Sequence, residues 1–287
     1  AAKQGMQVTD DDRQFWSFLP LKKPKAPQVK NNKWTNSDID QFVLRKLEQK
    51  GLAPNGPAQS RVLIRRVYFD LIGLPPTPDE VEAFVNSALR NPNSALEKIV
   101  DRLLTSKHYG ERWGRHWLDK ARYADSDGFE KDKPRMNAWR YRDYVIDAYN
   151  NDKPFDRFIR EQIAGDLLPY KTVEERAANL VATGFLVLGD IEIVEADKAK
   201  LHVDIVDQQL QKTGKAFLGM SIGCARCHDH KFDPITQGDY YAMAGFFRGT
   251  STVYKTKRGV WSDVNVIELP ETEAQKAERD KHEKAHA

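Results

Sequence analysis

The chain of 287 residues carries 45 lysines and arginines against 42 aspartates and glutamates, which gives a formal net charge of +3. Hydrophobic residues make up 40% and charged residues 30%, a composition typical of a folded globular protein rather than a disordered one. This small excess of positive charge, with no basic stripe interleaved with aromatics, argues against a nucleic-acid partner, and no apolar run is long enough to predict a membrane span.

Residues 1–36 read as a polar, extended N-terminal arm. The segment Phe15-Trp16-Ser17-Phe18 is followed by spaced prolines, which favour an extended chain. Because these aromatic side chains are too apolar for a free tail, we expect them to dock on the folded body. The first residues, Ala1-Ala2-Lys3-Gln4, contain no apolar segment of the kind found in a signal peptide.

Residues 37–250 predict a mainly α fold, an irregular multi-helix domain. Capping signals and a 3.6-residue apolar period predict helices over the approximate ranges 38–50, 60–72, 78–89, 94–105, 109–124, 138–150, 155–164, 173–182, 195–221 and 237–247. Residues 251–287 form a third segment. Its first part alternates enough to predict one or two short strands, and the charged remainder reads as a linker or solvated helix.

The predicted helix over residues 109–124 is both aromatic and charged. Helical spacing places Trp113, Trp117 and Ala121 on one face and polar side chains, His116 among them, on another. The carboxylates and polar residues in and after this helix are candidate catalytic residues: Asp119, Arg122, Tyr123, Asp125 and Glu130. The alternative interpretation is a core helix whose polar residues form ion pairs around a turn.

The only two cysteines, Cys224 and Cys227, lie three residues apart, and His228 follows directly. This C-x-x-C-H spacing is the pattern of covalent c-type haem attachment. Two thiols on one turn can add to the two vinyl groups of one porphyrin edge, and the next histidine can then ligate the iron. The sequence therefore predicts one covalent haem c, with His228 as the proximal iron ligand.

Two other uses of these cysteines remain open. A zinc site could combine both thiols with His228 and with His230 or a remote histidine, although structural zinc usually draws on two separated pairs and the chain has no second cysteine pair. A reversible thiol–disulfide pair is the other alternative, although the βαβ context of thioredoxin-like motifs is missing.

The second face of the iron has several candidate ligands: His108, His116, His202, His230, Met220 and Met243. We choose His116 as the distal ligand because its helix also carries Trp113 and Trp117, which could wall a flat ring. The alternative for His116 is a structural hydrogen bond to Asp119 or to a backbone carbonyl.

Five segments occur in order along the chain, residues 70–78, 115–119, 122–126, 139–143 and 223–235. In these segments the chain resembles the planctomycete cytochrome c-like DUF1549 (PSCyt2) family over roughly residues 37–250. The resemblance implies a neighbouring DUF1553 (PSD1) domain downstream, and the family is associated with bacteria rich in polysaccharide-degrading enzymes. Relatives often carry Asn-x-x-Gly-Gly before the long helix, where this chain has Leu188-Gly189-Asp190-Ile191.

These features predict a haem-binding domain that transfers electrons or acts as redox partner to a larger enzyme system. The alternative is a haem-dependent or carbohydrate-active enzyme domain, with a polysaccharide as partner and a carboxylate cluster around Asp119 and Asp125. A haem that serves only as a structural staple is the third interpretation. Because haem c is attached outside the cytoplasm, we expect a periplasmic or otherwise exported protein whose signal was removed or lies upstream.

Overall fold

The computed structural model describes residues 7–126, 132–189, 191–257 and 259–286, and within these ranges the fold is mainly α, as predicted. Its helices are, in chain order, α1 (Asp10–Arg13), α2 (Asp38–Gln49), α3 (Ser60–Leu71), α4 (Pro78–Ala88), α5 (Pro92–Leu104), α6 (Lys107–Ala121), α7 (Ala138–Asn150), α8 (Phe155–Ala164), α9 (Val173–Ala182), α10 (Lys198–Thr213), α11 (Gln237–Phe247) and α12 (Glu273–His286). None of these described helices is long and apolar enough to cross a membrane.

Side-chain caps explain why so many helices begin where the sequence predicts. Ser37 accepts a hydrogen bond from the Asp40 backbone at the start of α2, and the Asp40 carboxylate bonds back to the Ser37 backbone. Thr77 and Glu80 form the same reciprocal box at the start of α4, where proline occupies the first turn. Such caps satisfy backbone N–H groups that have no partner inside the helix, so they fix helix starts locally.

Two hydrophobic clusters hold the helices together. The smaller one joins α3, α4 and α5 through buried side chains that include Ile64, Tyr68 and Phe84. The larger one runs from α6 to α11 and is built around side chains such as Trp117 and Phe185. The cysteine turn rests on this larger cluster, so the position of the candidate site depends on its packing.

Helices α6 and α7 approach each other through glycine. A Cβ atom at Gly110 would lie 2.3 Å from the backbone oxygen of Ile146, and one at Gly114 would lie 3.4 Å from Val145 Cγ1. The buried face of α6 therefore follows Gly110, Gly114, Trp117 and Ala121. Trp113, which helical spacing places with Trp117, is instead 37% exposed, because the glycines leave it at the edge of the helix pair.

The N-terminal arm differs from the prediction in its aromatic residues. The ring of Phe15 lies 6.0 Å from those of Trp16 and Phe18, and the three side chains are 54%, 77% and 41% exposed, so the predicted docking on the body is wrong. The arm is held further along, where the backbone amides of Lys30 and Asn31 donate to the Glu48 side chain of α2. Self-clustering shields part of the apolar surface that we expected the body to cover.

The long helix predicted after α9 also differs from the structure. The predicted helix over 195–221 ends as α10 at Thr213, continues as a π-helical turn over Gly214–Leu218, and stops at Gly219, whose φ is +66°. The predicted strands form one antiparallel pair, β1 (Val253–Lys255) and β2 (Ser262–Val264). The Ser262 backbone N–H donates to the Ile193 carbonyl at 2.7 Å, which ties the sheet to the segment before α10.

Candidate functional site

Cys224 lies on a 3-10 turn, Ile222–Arg226, that follows the π-helical turn, and Cys227 is the residue directly after it. Ile222 is 1% exposed and Ala225 0%, so both point into the larger core cluster. Cys224 and Cys227 are exposed free thiols on the opposite side, and His228 is exposed next to them. The three-residue period of this turn thus separates an apolar face that packs inward from a reactive face that meets solvent.

Arg226, between the two cysteines, anchors the turn to α10. Its guanidinium lies 2.8 Å from an oxygen of Asp204 and 3.2 Å from an oxygen of Asp207. Its backbone carbonyl accepts hydrogen bonds from the Gln237 side chain at 3.0 Å and from the Tyr241 hydroxyl at 3.2 Å. Side chain and backbone of this one residue therefore hold the turn against both α10 and α11.

Asp207 is the buried end of this anchor, with 8% exposure. Besides Arg226 it accepts a hydrogen bond from the Tyr240 hydroxyl at 2.6 Å and another from the Gln211 side chain at 2.8 Å. Burial raises the pKa of Tyr240, and the hydrogen bond to the Asp207 carboxylate raises it further. A carboxylate with three partners satisfies the general condition for a buried charge, so the network is complete.

His228 is held in one tautomer by its neighbour. Its Nδ1 lies 2.7 Å from the backbone oxygen of Asp229, and because a carbonyl only accepts, Nδ1 carries the proton. The Asp229 side chain in turn accepts from the Gln237 backbone N–H at 2.8 Å. In the described chain Nε2 of His228 makes no hydrogen bond, so its lone pair is available to a metal.

His230 has a structural role instead. It is 6% exposed, and its Nδ1 accepts backbone hydrogen bonds from Phe232 at 3.2 Å and Asp233 at 2.7 Å. Its Nε2 lies 3.2 Å from the Ser221 hydroxyl. With both nitrogens bonded, His230 ties the chain before the cysteines to the chain after His228 and offers no free lone pair.

This donor set fits covalent haem attachment. Two free thiols and an imidazole with an available Nε2 lie together on one exposed, anchored turn. Within the described ranges, no three His, Cys, Asp or Glu side chains converge on a common point. The sixth-ligand candidate His116 lies exposed on α6, with its ring 5.6 Å from that of Trp113.

The other side chains considered as iron ligands have these surroundings. Met220 and Met243 pack against the larger core cluster, and His202 lines a small cavity of about 270 Å³ with residues 248–253. His108 pairs with Glu111 at 2.7 Å. No hydrogen bond, ion pair or ring contact joins His116 to the cysteine turn in the part of the chain that the structure describes, so its ligation stays a prediction.

The candidate catalytic residues are only partly brought together. The Tyr123 hydroxyl donates to the Asp125 carboxylate at 2.5 Å, and Arg142 pairs with Asp143 at 2.9 Å nearby on α7. Burial raises the pKa of Tyr123, and the hydrogen bond to Asp125 adds to this. Asp119 is exposed on α6, where its side chain makes no hydrogen bond or ion pair with any described residue, and Glu130 lies outside the described residues.

Arg122 turns away from this pair. It caps the C-terminal end of α6 with φ +57°, a left-handed conformation that is uncommon for a residue other than glycine. Its guanidinium donates to the Gln208 side chain of α10 at 3.3 Å. Arg122 therefore belongs to the surface between α6 and α10 rather than to the carboxylates of the following loop.

Lys212, within the predicted long helix, is a residue that the sequence patterns do not single out. Lys212 is 2% exposed, donates a hydrogen bond to the Leu188 carbonyl, and lies 4.9 Å from the centre of the Phe185 ring. Burial lowers the pKa of Lys212 to about 7, with smaller contributions from the charges of Arg122 and Arg135. The signal that could have found it is its place on the apolar face of α10.

An open groove of about 2190 Å³ runs between the helical body and residues 263–279. The lining from the body includes residues of α7, α8, α9 and α11, together with Arg135, Leu188 and Thr213. Neither Cys224 nor Cys227 nor His228 lines this groove. This groove and the cysteine turn are therefore separate features of the molecule.

Comparison with known proteins gives one match. A family model, PSCyt2, described as a protein of unknown function (DUF1549), matches residues 38–252, from the first residue of α2 to the residue before β1. No curated protein and no solved structure matches the chain.

Proposed function

The chain belongs to the PSCyt2 family of proteins of unknown function (DUF1549), and from that membership and the cysteine turn we propose that it is a c-type haem-binding domain that transfers electrons. One observation carries the proposal. The Asp229 carbonyl fixes the tautomer of His228 and leaves Nε2 free, on the same exposed turn as two free thiols. A backbone carbonyl that accepts from one ring nitrogen commonly orients a histidine that ligates a metal through the other.

The roles of the residues follow from their positions. Cys224 and Cys227 would form the two thioether bonds, and His228 would ligate the iron through Nε2. Arg226 positions the turn through its ion pairs with α10. Haem c supplies a reversible one-electron centre when it is bound. His116 is the side chain that we propose for the distal face.

From this function we also propose a location for the protein and an electron partner for the domain. The protein is exported, to the periplasm or beyond, because haem c is attached there. Its electron partner is a downstream DUF1553-like domain or another redox protein of the same system. The family name is consistent with that neighbour, and the test is co-purification of the haem-loaded domain with a chain that carries the downstream region.

The decisive experiment is expression with a c-type maturation system, followed by denaturing mass spectrometry and a pyridine haemochrome assay. The proposal expects the mass of one haem on the polypeptide and none on a Cys224→Ala, Cys227→Ala double variant. The bare polypeptide mass under the same conditions would refute haem attachment. A bound haem whose iron cannot be cycled between two oxidation states would leave only the structural-staple function.

A second candidate function is an enzyme, haem-dependent or carbohydrate-active, with a polysaccharide as substrate. The observation in its favour is the pairing of Tyr123 with Asp125 beside Arg142 and Asp143. Against it, Asp119 stands apart on the surface of α6. The test is whether the wild-type protein hydrolyses a polysaccharide. Activity that is lost in Asp125→Asn and retained in Asp119→Asn would support this function.

A further inference from the structure

Among the residues that the structure describes, Lys212 is a buried lysine without a carboxylate partner. At 2% exposure its ammonium group donates to the Leu188 carbonyl and faces the ring of Phe185, and no Asp or Glu pairs with it in the described ranges. Lysine is rarely buried to this extent unless it is paired, because removing its charge from water costs several kcal/mol. A carbonyl and an aromatic ring offset only part of that cost.

Arg122 converges on the same place. Its side chain runs past Gly189, where a Cβ atom would lie 3.7 Å from Arg122 Cδ and 3.7 Å from the Gln208 side-chain oxygen. Lys212 bonds to the residue directly before Gly189. Arg122 likewise has no carboxylate partner among the described residues, and its left-handed backbone is a conformation that tends to occur at functional sites.

Unused polar groups and an entrance adjoin these two cations. The hydroxyl of Thr213 and the side-chain oxygen of Gln209 are buried without a hydrogen-bond partner within the described chain, and Gln209 is 1% exposed. Thr213 and Leu188 both line the large groove, so the groove reaches the residue after Lys212 and the residue to which Lys212 bonds. Arg135, which donates to the Gly189 carbonyl at 2.6 Å, adds positive charge at the groove wall.

We propose that Lys212 and Arg122, at the Leu188-Gly189 turn, form a binding site for a small oxyanion that enters from the groove. An anion with several oxygens can accept from a guanidinium and an ammonium together. It would supply the negative charge that the buried lysine lacks. This site is independent of the cysteine turn and of haem.

The protonation of Lys212 makes anion binding at this site detectable as proton uptake. Because its pKa is lowered to about 7, much of Lys212 is neutral at pH 8, and a bound anion would raise that pKa again. Binding at pH 8 should therefore take up about one proton. Inorganic sulfate is the suitable probe because, unlike phosphate, it does not titrate near neutral pH.

The test is isothermal titration calorimetry with sodium sulfate at pH 8, in two buffers of different ionisation enthalpy at equal ionic strength. Saturable binding with proton uptake is expected for the wild type. Affinity should fall at least about tenfold, which is roughly 1.4 kcal/mol, in Lys212→Met and in Arg122→Gln, and proton uptake should vanish in Lys212→Met. The matched control is Lys215→Met, an exposed lysine in the same segment, which should bind as the wild type does.

Three outcomes would overturn the site: no saturable binding by the wild type, equal affinity in Lys212→Met, or binding without proton uptake. Methionine suits this apolar position, and thermal unfolding of Lys212→Met at or above the wild-type temperature would verify that the variant is folded. Asp190 follows Gly189 and lies outside the described residues. If Asp190→Asn binds sulfate and the wild type does not, a carboxylate of the chain fills the site and the proposal fails.

Discussion

Arg226 and Asp204 form an ion pair of 2.8 Å that joins the segment between the two cysteines to the middle of α10. Burial alone raises the pKa of Asp204, but hydrogen bonds from Arg226 and Lys200 outweigh it, so the pKa is lowered overall and the carboxylate stays ionised. The same guanidinium reaches the more deeply buried Asp207. The geometry of the cysteine turn is therefore set by polar contacts beneath it.

Replacing Arg226 by methionine should destabilise the fold. The change leaves Asp207, which is 8% exposed, without its cation, and an unmet buried charge costs about 1–3 kcal/mol. Urea unfolding measures the loss. Arg61→Met is the matched control, since Arg61 pairs with Glu82 on the surface and such pairs contribute about 0–1 kcal/mol. Equal losses in both variants would contradict the anchoring role of Arg226.

The Cys224→Ala, Cys227→Ala double variant should keep the fold. Both thiols face solvent, whereas the buried side chains of the turn are Ile222 and Ala225, so removal of the thiols should change the free energy of unfolding by about 0.5 kcal/mol or less. Circular dichroism with thermal unfolding measures this. Ile222→Ala, by contrast, should cost about 2–5 kcal/mol, because it opens a cavity in the core. A double variant that unfolds would mean that the cysteines support the core.

Glu161 should make the fold sensitive to acid. It is 1% exposed and accepts from the Tyr144 hydroxyl at 2.7 Å, from Lys153 and from Arg157. Burial raises the pKa of Glu161, but its hydrogen bonds outweigh this and lower it overall. Glu161 is therefore protonated at a lower pH in the native state than in the unfolded state. This stabilisation is present above about pH 4.5 and is lost as the pH falls further.

Glu161→Gln should therefore cost about 3–5 kcal/mol at neutral pH, because it leaves Lys153 without its buried anion. The difference between variant and wild type should shrink as the pH falls below 4. Urea titrations at several pH values measure both effects. The control is Asp156→Asn, which breaks an exposed ion pair with Arg160 and should change little. A difference that is constant with pH would contradict the ionised state of Glu161.

Lys212 should make stability rise with pH in buffer free of oxyanions. Its native pKa of about 7 lies below the unfolded value near 10.5, so the unfolded state binds more protons between these values. The free energy of unfolding should therefore increase from about pH 7 to pH 10, by roughly 3–5 kcal/mol from this residue. In Lys212→Met this rise should be absent, and Lys215→Met should retain it. A wild-type profile that is flat over this range would refute the lowered pKa.

Local signals in the sequence were enough to predict most of the fold. The caps at Ser37 and Thr77 and the stop at Gly51 depend on residues within one turn, so the helix starts and ends could be predicted without knowledge of tertiary contacts. The end of α10 could not be predicted in this way. Its apolar period continues past Thr213, but the backbone there widens into a π-helical turn that packs Gly214 against Ile222.

The candidate site residues likewise differ in whether local sequence predicts them. Cys224, Cys227 and His228 are adjacent in sequence, so their spacing alone predicts the attachment turn. Lys212 and Arg122 are separated by 90 positions, and nothing in the sequence shows that both approach the Leu188-Gly189 turn. The helical period places Lys212 on the apolar face of α10, but it does not show that the charge is buried, because a long side chain can carry its charge out to solvent.

Two glycines impose a different kind of limit on the molecule. A Cβ atom at Gly110 would overlap the backbone oxygen of Ile146, and a Cβ atom at Gly165 would lie 2.1 Å from the Asn179 backbone oxygen. In both places, main chain therefore touches main chain. No rotamer change can relieve such an overlap, as it can where a side chain blocks the way. In a library of all substitutions at every position, these two positions should accept glycine alone, while nearby exposed positions on the same helices accept many residues.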